Sequence, residues 1–395
     1  MWSQPFTRAI YRMKNSILSG SLFSLFFIVL LACSAKADLY SPLFGVSATY
    51  NNVFFGDFYG RNGDIEGHAA IKGDVDVIQY GFGSGEQNLH PNSQGPTLVV
   101  GGNVTARSSG VYDGDAYIAG AIIPHVQANG NAPSIWNSLH TAGTGPYNSV
   151  DPGYKGTPGT IYVAGMAGSP IDWQYQAHTT APLPFDFDTA ERQLRAVSSH
   201  LFGLEDTVHT VAEPLSNGTT DYRIDLTGLS GIQVVTIDAS IFNSLPSNRS
   251  IFIDAGADTT LIINISDIYG MGSLDLSRAF VINGVYEPSY GDFDGSNILI
   301  NTDVSQVNIY KAAINASLMA LDAIIYVEHG NIDGQAFGAG AHTTNGGEFH
   351  AYYVFNDQHF GGGAAAVPEP ATCVLLATGL IGLGYVRSRR QSPVH

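Results

Sequence analysis

The sequence predicts an all-β protein, a parallel β-helix with one flanking α-helix, bracketed by an N-terminal signal helix and a C-terminal transmembrane sorting helix. Three observations lead there. Short β-branched runs recur between glycine, asparagine and aspartate corners. One stretch of the middle carries helical periodicity instead. Finally, an apolar run lies near each end of the chain, beside basic residues.

In chain order, Arg8, Arg12 and Lys14 precede an apolar run from Ile17 to Ala32, and Ala35-Lys36-Ala37 places small residues where a signal peptidase reads them. The run is short for a span of ~20 residues, so residues 1–37 read as a cleaved signal peptide that leaves Asp38 as the mature N-terminus. A second cut, at Leu30-Leu31-Ala32-Cys33, weakly resembles a lipoprotein box. Leucine fits poorly just before its small residue.

The strands follow. Asp64-Ile65-Glu66-Gly67, Ala70 to Val75, Thr97 to Gly102, Ala116 to Gly120 and Thr160 to Gly165 form one set. Ser250 to Asp254, Thr260 to Asn264, Asn297 to Asn301 and Val307 to Tyr310 form another. Runs this short, with small residues at their corners, suit solenoid coils that bury inward side chains on the next coil. A β-sandwich also alternates, but it favours longer strands and tighter hairpins. Between the sets, Ala190, Leu194, Val197 and Leu201 recur at helical spacing within 187–204, with Asp188 or Thr189 as N-cap and Gly203 near the stop. The Gly-, Pro- and Ser-rich stretch from Pro124 to Pro184 reads as long surface loops.

At the end of the chain, Val367-Pro368-Glu369-Pro370 leads into an apolar stretch from Ala371 to Val386, then Arg387, Arg389 and Arg390. A helix of that length rises ~24 Å, short of the ~30 Å hydrocarbon core. The arginines keep the C-terminus inside, so the bulk of the chain lies outside. This tail closely resembles the PEP-CTERM sorting signal of Gram-negative, exopolysaccharide-making bacteria. The resemblance implies processing by an exosortase and only a transient stay in the inner membrane. Residues 38–363 are then the β domain and 364–395 the sorting segment.

Both cysteines, Cys33 and Cys373, fall in these end segments, so the mature domain has no disulfide or thiolate chemistry. Removing the ends takes the basic residues from 17 to 10 and the acidic ones from 34 to 33, a formal charge of −23. Such a surface repels nucleic acid and anionic lipid and favours cations or neutral sugars.

The middle resembles the choice-of-anchor A domain, an adhesive domain. Tyr50 to Phe58, Ile65 to Ala70 and Leu98 to Gly102 match its entry block; Gly330 to Ala336 and Gly347 to His350 match its closing block. Ile314 to Ala323 resembles the family's small-residue rung without its usual proline. A β-helix with a flanking helix is what the resemblance implies, and it supplies no catalytic residues.

Asp74 with Asp76, Asp113 with Asp115, and Asp292 with Asp294 have the i, i+2 spacing that puts two carboxylates on one face of a strand, as glycoside hydrolysis or calcium would require. No catalytic or calcium-loop motif surrounds them, so no catalytic residue, metal ligand or cofactor is expected. Calcium remains the better use for such pairs. His68, His329, His342 and His350 lie near the matching blocks, and Glu348-x-His350 puts two side chains on one face of a strand. They lack zinc spacing, and structural hydrogen bonding is expected of His350. Threonine ladders of the kind that match ice are absent. Exposed aromatics can stack on a sugar face, but in a β-helix they are more often buried, so Tyr112, Tyr117, Tyr352 and Tyr353 carry little singly, although a ladder of them would be informative. The expectation is a non-enzymatic surface or matrix adhesin binding extracellular polysaccharide or cell surfaces, with a secreted polysaccharide lyase or hydrolase as the alternative.

Overall fold

The computed structural model describes residues 43–84, 95–112, 114–124, 139–141, 158–164, 182–208, 211–214, 220–244, 250–277, 279–284, 294–353 and 355. The signal residues with Ala35 and Ala37, and the sorting residues Val367, Pro368, Glu369, Pro370, Arg387, Arg389 and Arg390, lie outside them. Among the described residues no helix is long and apolar enough to cross a membrane.

Parallel strands wind into a solenoid with three faces. Ten strands stack on the first, but not in chain order. Gly231–Asp238, Thr259–Ser266, Ile298–Thr302, Ser317–Glu328 and Ala336–Thr344 come first; Asn52–Phe54, Ala69–Ile71, Leu98–Val100, Gly114–Ile118 and Pro158–Val163 follow. The N-terminal coils therefore stack on the last coil of the chain. At this seam Val53 pairs with Phe337, Tyr59 with His342 and Ile65 with Phe349.

Central strands of the first face, such as Leu98–Val100 and Thr259–Ser266, are buried on both sides and read as near-continuous apolar runs. Val235, Ile263, Ile300 and Leu318 point into the coil and join its core. Val234, Ile262, Leu299, Met319, Phe337, Val53, Ala70 and Val99 point outward into a second core beneath the helix Phe187–Phe202. That helix buries Phe187, Ala190, Leu194, Val197 and Leu201, as its spacing predicts. Asn264 donates to the Leu201 carbonyl at 2.7 Å, and Asn301 donates to Asn264 and accepts from Ser198. The first of these bonds reaches a carbonyl in the last helical turn, which has no partner four residues on within the helix, and the other two hold the asparagines in place.

The N-cap lies earlier than expected, at Asp186, whose carboxylate accepts from the Thr189 amide at 3.0 Å. Asp186 has the extended backbone a cap needs, while Asp188 sits in the first turn, ion-paired with Lys72 at 2.8 Å. Asp186→Ala should cost about 1 kcal/mol, read as a lower thermal midpoint with unchanged strand content.

Corners follow a Gly-Asp or Gly-Asn rule. Asp57 accepts from the Asp74 amide at 2.8 Å, Asp74 from the Asn103 amide at 2.7 Å, and Asn103 from the Ala121 amide at 3.0 Å. A Cβ at the preceding Gly73 would stand 2.5 Å from the Gly56 carbonyl carbon, so only glycine lets the corners stack this closely.

Two elements differ from expectation. The stretch expected to be loops from Pro124 to Pro184 contains Leu139–Thr141, which pairs with Ser109–Val111 and extends the third face. A short second helix, Ala239–Ser244, buries Ala239 and Phe242. It packs against Ser273–Asp275 at the far end of the stack. There the third face ends in a separate four-stranded sheet whose outer strand, Val211–Pro214, runs antiparallel to Thr220–Leu226.

Candidate functional site

The second face has the alternation of a sheet buried on one side only. Leu274, Val307, Ile325, Ala341, Phe58, Val75, Val104 and Ile122 point inward in successive strands and are all buried. The side chains between them point out. In register they read Asp275, Asn308, Tyr326, His342, Tyr59, Asp76, Thr105 and Ile123.

The centre of this column is aromatic. The His342 ring lies 4.9 Å from Tyr326 and 5.5 Å from Tyr59. Arg61 places its guanidinium 3.7 Å from the centroid of Tyr59, and it is pinned there by Asp76, 2.9 Å from the carboxylate and 2.8 Å from the backbone carbonyl. Burial holds His342 below the usual imidazole range, against the opposing charge of Asp57, so the ring is neutral at pH 7. The result is a row of rings at the ~4.8 Å spacing of strands, on a face where Tyr310 (47%) and Ile324 (38%) are well exposed. Threonine appears in the central column only as Thr105.

The third face carries a polar network across the seam. His350 sits 2.7 Å from the Asp333 carboxylate through Nδ1 and 3.1 Å from Glu348 through Nε2, and Asn331 also donates to Asp333. Glu66 accepts from the Ala351 amide and the Tyr352 hydroxyl, each at 3.4 Å. Asp64 accepts from Ser84 at 2.7 Å.

The paired aspartates separate. Asp74 is used at a corner and Asp76 by Arg61; Asp294 is buried and caps a short 3-10 turn through Ser296 at 2.8 Å. Asp113 and Asp292 lie outside the described residues. The four histidines also scatter: His68 is buried near Tyr50, His329 lies near Tyr310, His342 is in the ladder and His350 in the network. Among the described residues no group of three or more His, Cys, Asp or Glu side chains is placed to hold a metal. Of the tyrosines singled out, Tyr117 stacks on Tyr162 at 4.4 Å, Tyr352 joins the network and Tyr353 is buried. The ladder instead uses Tyr59 and Tyr326. Its only local signals are the alternations Phe58-Tyr59-Gly60-Arg61 and Ile325-Tyr326-Val327.

A family model described as "Putative Ice-binding-like adhesive domain" matches residues 43–351. The chain belongs to this family. A second model, the PEP-CTERM protein-sorting motif, matches residues 366–390. The family member is thus an exported, surface-associated protein whose tail implies processing by an exosortase.

Similar solved structures include an ice-binding protein from an Antarctic Biological Consortium, 11% identical, covering 81% of this chain and 93% of that one with a TM-score of 0.31. An ice-binding protein from Shewanella frigidimarina is 13% identical, covering 78% and 94% at 0.24. A glycosylated ice-binding protein from an Arctic yeast is 11% identical, covering 83% and 95% at 0.27. A search of curated proteins finds no match.

Proposed function

We propose that this family member is a non-enzymatic adhesin of the cell surface or extracellular matrix, sorted in a Gram-negative cell, that lays extracellular polysaccharide along its second face. The in-register row Tyr326–His342–Tyr59, backed by Arg61, carries this reading. Half-exposed aromatic rings such as these can cover the apolar C–H face of a pyranose. Asn308 and Asp275 on one side, and Asp76 and Thr105 on the other, supply partners for its hydroxyls. A neutral His342 keeps the row free of charge. The acidity of the mature chain disfavours polyanions, so the ligand class is a neutral or amino-sugar polymer. The same surface, held outside the cell by its sorting route, suits biofilm or floc cohesion.

Co-sedimentation of the purified protein with insoluble β-glucan, chitin and a uronate gel tests the reading. Retention on the first two with little on the third is the expected pattern. Release of reducing ends or unsaturated sugars would replace the adhesin by a polysaccharide-degrading enzyme. Absence of retention on all three would remove the sugar-binding reading.

A further inference from the structure

The His350 network sits where the two ends of the fold meet. Its members come from three elements. Asp333 and Asn331 belong to Asn331–Gly334, Glu348, His350 and Tyr352 to Glu348–Tyr353, and Asp64 lies at the end of Phe58–Ile65 with Glu66 just after it. From the next coil, Ser84 donates to Asp64 and the Tyr80 hydroxyl donates to the Asp64 carbonyl at 2.9 Å. Four carboxylates thus surround one imidazole, and among the described residues no lysine or arginine is ion-paired with any of them.

Geometry sets the charge on that ring. Both nitrogens of His350 face a carboxylate oxygen, and carboxylates only accept. With Asp333 and Glu348 ionised, each nitrogen donates to a carboxylate, which only the imidazolium can do; the Asn331 side-chain amide also lies 3.3 Å from Nδ1. The neighbouring bonds cross the seam: the Glu66 amide donates to the Phe349 carbonyl at 2.9 Å, and Glu66 in turn receives Ala351 and Tyr352.

We propose that this third-face seam is a proton-operated latch, in which protons on His350 and Asp64 hold the last strand against the first coils and their loss releases it. Titration behaviour supports the geometry. Burial opposes the charge on His350, but its bonds to Asp333 and Glu348 outweigh that and push it up to about 10. Burial pushes Asp64 up to about 6, helped by the charges of Glu348 and Glu66 and opposed by the Ser84 bond.

Both shifts have the same sign. Each group binds its proton more tightly in the folded state, from model values of 6.5 and 3.8, so the stability each contributes falls as pH rises. For Asp64 the loss runs from about pH 4 to 6 and for His350 from about 6.5 to 10.

Hydrogen exchange, corrected for intrinsic rates, tests this at the amides of Glu66 and Ala351. Their protection should drop at least tenfold between pH 7 and 10 while amides of Leu98–Val100 hold. In His350→Gln that drop should disappear. Asp64→Asn, which needs no proton to be neutral, should raise seam protection at pH 7 and abolish the pH 4–6 slope. An alkaline loss shared by the whole solenoid, or one that persists in a folded His350→Gln protein, overturns the latch; if that variant does not fold, the Asp64→Asn slope decides alone.

Discussion

Replacing Tyr59 and Tyr326 together by alanine should weaken polysaccharide binding by about thirtyfold to several hundredfold, since each central aromatic is worth roughly 1–2 kcal/mol at a contact of this kind. Both side chains point out of the coil, so their loss opens no cavity and the thermal midpoint should barely move. His342 gives a graded companion: it protonates only below the usual imidazole range. Binding should therefore hold steady from pH 8 to 6.5 and decline only in acid. Equilibrium binding on immobilised polymer reads both effects, and a double variant that binds like the parent would move the site off this face.

Phe349→Ala should be the most damaging single truncation, at about 3–5 kcal/mol. Its ring is fully buried, 5.5 Å from Phe54 and 6.4 Å from Phe58. Those two belong to the first coils of the chain and Phe349 to the last, so the cavity would open in the seam itself. Against a typical total stability of about 5–15 kcal/mol, this loss should lower the denaturant midpoint sharply. Tyr269→Ala is the matched control, because Tyr269 is 76% exposed. A Phe349→Ala cost as small as that of Tyr269→Ala would mean that the first coils do not depend on the last.

Much of the fold was readable from local pattern. The helix announced its buried stripe, and the Gly-Asp corners at Gly73 and Asp74 and the apolar runs at Leu98–Val100 and Leu261–Ile263 marked coils. The stack order was not readable, because no short-range signal joins Asn52–Phe54 to Ala336–Gly338. That join also assembles both sites. Tyr59 meets His342, and Glu66 meets Ala351, across almost the whole chain, so each residue alone looks like an ordinary strand position. The pair Glu348-x-His350 was visible as two side chains on one face. Its partners Asp333 and Glu66 were not, since they come from neighbouring coils. The N-cap falls at Asp186 for a local reason: its backbone is extended and its carboxylate reaches the Thr189 amide, while Asp188 already lies in the first helical turn.

The polymer-binding role of the open face is tested most directly by a hydrogen-exchange footprint of the protein with and without a saturating neutral polysaccharide. Slowed exchange should concentrate in Phe58–Ile65, Ile324–Glu328 and Gly340–Thr344, where the rings line up. Protection confined to the third face, or no difference on adding polymer, would contradict it.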